Sequence, residues 1–165
     1  MLRAFCFASL GLTVEDLYLI DPDPERGGHE RGVRVELRVV DPQPWRGSPN
    51  TSQRIVLDQA LWRADFLESV AGGPGTKDRM HHHPGMHDNR PGRRVYAPDL
   101  TDDPMAWLEK QLGDLTPLLE AADVPNTAEH QKAGAVLRDN LAEIVATVTT
   151  VLGEVRAGTL ARPPA

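Results

Sequence analysis

Four of the chain's six histidines fall within seven residues, in the run Met80-His81-His82-His83-Pro84-Gly85-Met86-His87. If residues 81–83 are extended, their side chains alternate, so His81 and His83 face one way and His82 the other. Pro84-Gly85 then turns the chain, and His87 returns to the side of His81 and His83. Three neutral imidazoles suit zinc, iron, copper or nickel. Three protein ligands also leave a coordination position open, which separates a catalytic metal site from a structural one.

Gly75, five residues, His81-x-His83, three residues and then His87 resembles the first half of the cupin metal motif. In that family the pattern is glycine, five residues, H-x-H, three or four residues and glutamate. The resemblance implies a small β-barrel holding iron, manganese, nickel or zinc. It spans about a dozen residues, places His87 where the glutamate belongs, and is followed by no second motif with a fourth ligand histidine.

The segment around the histidines is basic in an acidic protein. Lys77, Arg79, Arg90, Arg93 and Arg94 face only Asp78 and Asp88 between Thr76 and Arg94, whereas the whole chain carries a net charge of −6. Arginine forks hold carboxylates and phosphates, so His82, Arg90, Arg93 and Arg94 are candidates to bind an anion, and Arg79 to orient an anionic substrate. A solvated or simply packed loop accounts for the same residues without a ligand. Candidates for a further ligand or a general base are Asp65, Glu68 and the pair His29-Glu30. Met80 and Met86 add thioethers that favour copper(I), although methionine is more often packing.

The remaining composition excludes more than it suggests. A net negative charge argues against a nucleic-acid binder. Cys6 is the only cysteine, so no internal disulfide forms and a reducing cytoplasm fits; between Phe5 and Phe7 it reads as a small buried hydrophobe. No apolar run approaches the ~20 residues that span a bilayer. There is no GxSxG, Walker loop, GxGxxG before a helix, CxxC or HExxH.

The elements that must position the histidines divide the chain in two. Residues 1–100 read as β-rich and 101–158 as helical, in a single α+β domain over 1–158, with 159–165 as a flexible tail. Apolar runs at 2–10 and 14–20 predict strands, and 21–28 a loop. Val33, Val35, Leu37 and Val39 alternate with Arg34, Glu36 and Arg38, the pattern of a strand with one apolar face. Residues 53–71 fit a helical period through Leu57, Leu61, Ala64 and Leu67, capped by Gly72-Gly73. Arg54-Ile55-Val56-Leu57 begins like a strand, and the strand is preferred because the histidine loop needs rigid support. Arg94-Val95-Tyr96 suggests one more short strand.

Asp103-Pro104 marks a helix start, with Met105, Leu108, Leu112, Leu115 and Leu119 as its stripe and Pro117 set to shorten it. Asn126 and Glu129 offer a capping box for a last helix over about 128–157, striped by Leu137, Leu141, Ile144, Val148, Val151 and Val155. These two helices are expected as an antiparallel hairpin on an antiparallel sheet, either open or closed into a cupin-like or partial barrel. Trp45, Trp62 and Trp107 read as core or pocket walls.

Two functions follow. One is a small metal-dependent enzyme: His81, His83 and His87 hold iron, zinc, manganese, nickel or copper, and Asp65 and Arg79 act on a small anionic or polar substrate. Oxygenase, isomerase and hydrolase chemistry are equally compatible. The other is a non-catalytic accessory module, dimeric through the C-terminal helices, whose basic histidine loop binds an anion or a partner protein.

Overall fold

A computed structural model describes residues 1–20, 28–41, 43, 44, 47, 48, 50 and 52–163. Most of the expected loop at 21–28, and Trp45, lie outside the described residues. The chain builds a five-stranded antiparallel sheet in sequential order: β1 (Leu2–Phe7), β2 (Leu10–Ile20), β3 (His29–Asp41), β4 (Val56–Ser69) and β5 (His81–His83). A two-stranded ribbon follows, β6 (Met86–His87) with β7 (Arg90–Pro91). Among the described residues β1 does not pair with β5, so the sheet is open and not a closed barrel.

β3 forms as its alternation predicts. Val33, Val35 and Leu37 are fully buried together with Leu10, Leu12 and Val14 of β2 and Trp62, Ala64 and Phe66 of β4. The helices cover this face. β4 hid its period because both of its faces are enclosed: every residue from Ala60 to Ser69 is buried except the half-buried Arg63. A strand buried on both faces shows no polar alternation and cannot be told from a helix by period alone.

The helical part is more divided than a hairpin. Five helices occur among the described residues: α1 (Pro98–Asp102), α2 (Pro104–Gly113), α3 (Thr116–Ala121), α4 (Ala128–Asp139) and α5 (Leu141–Arg156). Asp103 caps α2 by accepting from the Ala106 amide, with Pro104 in the first turn. Pro117 does not bend the end of α2. It sits in the first turn of α3, where its missing N–H is no loss. The long last helix breaks at Asn140, whose side-chain amide donates to the Val136 carbonyl at 2.7 Å. Thr127, not Asn126, caps α4 by accepting from the His130 amide.

One further expectation is corrected. Cys6 is exposed: β1 is an edge strand, and alternation there leaves Cys6 outside between the inward-leaning Phe5 and Phe7. The chain after α5 is docked at its start, with Leu160 and Ala161 packed on the core and the Ala161 amide donating to Asp16 at 2.7 Å.

Candidate metal centre

The strand register places polar side chains in two rows across the sheet face opposite the helices. Glu15, Arg34, Asp65 and His81 are successive cross-strand partners, as are Thr13, Glu36, Arg63 and His83. Residues read from sequence as the solvent side of β3 are therefore part of a polar layer. Arg34 Nε donates to Asp65 Oδ1 at 2.7 Å, while Arg38 and Arg63 both hold the buried carboxylate of Glu36. Burial alone would raise the Glu36 carboxyl, but hydrogen bonds and charge from the two arginines outweigh it and hold it below its ordinary 4.5.

Asp65, His81 and His83 are each at most 4% exposed. One ligand atom from each lies within 4.8 Å of the others. His81 Nδ1 is 2.8 Å from the Arg79 carbonyl, and His83 Nδ1 is 2.9 Å from the Gly92 carbonyl. A carbonyl only accepts, so both Nδ1 atoms carry the proton and each neutral ring turns its Nε2 lone pair to Asp65 Oδ2. The Nε2 atoms stand 3.4 and 3.7 Å from that oxygen. These separations are long for N–H···O hydrogen bonds, which run from about 2.7 to 3.2 Å. They match donors sharing one ion: bonds of ~2.1 Å in a tetrahedron put donors about 3.4 Å apart. Asp65 Oδ2 and the two Nε2 atoms together form a group that could hold a cation.

The local chain explains why the rings are held. Asp88 and Asn89 take positive φ in the two-residue turn between β6 and β7, and the Asn89 side chain accepts from the Ala60 amide at 2.8 Å. Gly85 lies so close to α3 that a Cβ would sit 2.2 Å from the Ala121 carbonyl oxygen. Only glycine fits there, and the Gly92 amide donates to the Gly85 carbonyl at 3.2 Å. These contacts hold the loop that presents the Gly92 carbonyl to His83. On the other side, Asp78 accepts from the Ser69 amide and from Thr76, which shapes the turn that presents the Arg79 carbonyl.

The other sequence candidates lie elsewhere. His87 is outside the group: its side chain is 59% exposed and 3.9 Å from Asp123. Met86 is fully buried, and alternation then sends His87 outward, so the Pro84-Gly85 turn does not bring it back. Asp65 from β4 stands where His87 was expected. His82 points to the helices, packing edge-on against Trp107 with ring centroids 5.0 Å apart. Glu68 is also on that side, paired with Arg156 and accepting from the Gly75 amide. Arg79 serves through its backbone carbonyl, while its guanidinium lies 3.6 Å from Asp78 and 3.7 Å from Glu30. Arg90 is exposed in β7 opposite His87, and Arg93 is exposed with its charge felt by His82. His29 is exposed and bonded to Tyr18. Met80 belongs to the hydrophobic core. Arg34 and Glu36 were not singled out from sequence; the visible signal was three charged residues spaced two apart on β3.

Burial pushes His81, His82 and His83 below their ordinary 6.5. For His81 and His83, the carbonyl each one meets and Asp65 pull upward but do not overcome it. The unfolded chain, with histidines near 6.5, takes up protons first as pH falls. The metal-free protein is therefore expected to hold this part of its stability above pH ~6.5 and lose it as pH falls through the lower folded values. Urea midpoints measured from pH ~8 to ~5 should decline in the metal-free wild type and decline less in a His81→Gln/His83→Gln variant.

Fold and site together define an α+β protein with a buried Asp/His/His group able to hold a metal ion. No protein-family model, no curated protein and no solved structure matches the chain. No helix of the described residues is long and apolar enough to cross a membrane.

Proposed function

We propose that this protein holds a divalent transition metal on Asp65, His81 and His83 and acts as a small metal-dependent enzyme on an anionic or polar substrate. The observation that carries the reading is the convergence of Asp65 Oδ2 with two Nε2 atoms whose rings are oriented by backbone carbonyls. Metal-ligating histidines characteristically donate their second ring N–H to such an acceptor. Arg34 occupies the other Asp65 oxygen, which favours ligation through Oδ2 alone. Depressed histidine basicity keeps both lone pairs available at neutral pH. A bound metal with open positions would supply Lewis-acid chemistry or activate water or dioxygen. Two imidazoles and a carboxylate accommodate zinc and iron most readily, with manganese, nickel and copper as further candidates.

Cobalt(II) substitution tests this reading. The wild type is expected to develop visible ligand-field bands that saturate near one equivalent, with intensities reporting four or five ligands. A His81→Ala/His83→Ala protein that is folded and shows the same bands would refute the assignment.

A further inference from the structure

The polar rows do not end at β5. His82 and Val95 form an antiparallel bridge through both backbone hydrogen bonds, at 3.0 and 2.9 Å. Paired residues share a face and their neighbours take the other. Tyr96 therefore extends the row of Asp65 and His81, and Arg94 extends the row of Arg63 and His83. The Tyr96 ring lies 5.5 Å from the His81 ring, tilted by 41°. Both residues are exposed, whereas Asp65, His81 and His83 are buried.

The arginines of this layer differ in how they are held. Arg34, Arg38 and Arg63 are engaged by Asp65 and Glu36. Arg94 has no acidic partner within ion-pairing distance among the described residues, although its charge reaches both His81 and His83. An exposed arginine beside a metal with open positions matches an anion having one oxygen for each. The guanidinium donates charge-assisted hydrogen bonds to the carboxylate oxygen that the metal does not take.

We infer that Arg94 and Tyr96 frame the substrate side of the site, where a small carboxylate places one oxygen on the metal and the other on the Arg94 guanidinium. The inference rests on the metal assignment above, and names the substrate class and the residue that selects it. Tyr96 forms the wall next to His81, and Arg90 and Arg93 take no part.

The test uses full-length protein loaded with cobalt(II), with metal content measured in each sample. Acetate is titrated into wild type, Arg94→Gln and Lys110→Gln, the last removing the same charge from α2. Acetate is expected to shift the ligand-field bands saturably in wild type and in Lys110→Gln, and to bind about tenfold or more weakly in Arg94→Gln. Metal-loaded wild type that ignores acetate, equal affinity in wild type and Arg94→Gln, or a response to inorganic phosphate alone would overturn this inference and leave the metal assignment standing. Absence of bound cobalt in wild type would overturn both.

Discussion

Asp65→Asn is expected to lower zinc or cobalt(II) affinity by at least ~100-fold while the protein stays folded. Loss of outer-shell partners alone typically costs 10–100-fold, and this change removes the anionic ligand itself. The amide is nearly isosteric. Its oxygen can still accept from Arg34 Nε, which is 2.7 Å from Asp65 Oδ1. Its NH2 can donate to an Nε2 lone pair of His81 or His83, 3.4 and 3.7 Å away in the wild type. The variant thus replaces a set of three acceptors by a donor and two acceptors, which suits the metal-free state and not the metal. Arg34 loses a charged partner, but its side chain is 21% exposed, so the stability change should stay within about 1–2 kcal/mol. Chelator competition gives the affinity and urea unfolding the stability. His87→Ala in the same assay should bind metal as wild type does, because His87 faces solvent. Equal affinity in Asp65→Asn and wild type would remove the carboxylate from the ligand set.

The largest effect on stability is expected from Trp107→Ala, at about 3–5 kcal/mol. Trp107 is 4% exposed and joins α2 to the sheet. Its ring stacks on Trp62 at 5.9 Å, meets Phe66 edge-on at 6.4 Å and backs His82 at 5.0 Å. Truncation opens a cavity between the helical layer and β4, the strand that carries Asp65. For a domain stable by roughly 5–15 kcal/mol, the loss takes a large share of the margin. Chemical denaturation measures it directly. Metal affinity should fall only several-fold, because the ligand rings are fixed by the Arg79 and Gly92 carbonyls on the other face. A Trp107→Ala protein as stable as wild type would contradict the packing of α2 on the sheet.

What could be read from the sequence depended on how each element is enclosed. β3 was legible because only one of its faces meets the helices, so Val33, Val35 and Leu37 alternate with charges. β4 was ambiguous because partners cover both of its faces. The break at Asn140 left no mark in the apolar stripe, since α4 and α5 keep burying Leu137 and Ile144 on one side. His81 and His83 follow from alternation within three residues, a local property. His87 was misplaced because the turn was counted without the buried Met86, which takes the inward position. Asp65 was legible as a candidate base or further ligand, with Glu68 and His29-Glu30 as alternatives for the ligand. Its place beside His81 comes from β4–β5 register across the intervening turn, which residue spacing does not reveal. Arg34 and Glu36 were hidden for the same reason: a charge on an alternating strand reads as solvated until the opposite strand is known to bring another charge.

Elemental analysis tests most directly whether Asp65, His81 and His83 hold a metal. Wild type and His81→Ala/His83→Ala are purified without a histidine tag or nickel resin. The geometry predicts close to one equivalent of a first-row transition metal in wild type and almost none in a double variant that remains folded. Wild-type protein that carries no metal, even after reconstitution with iron, zinc, manganese, nickel and copper, would contradict it.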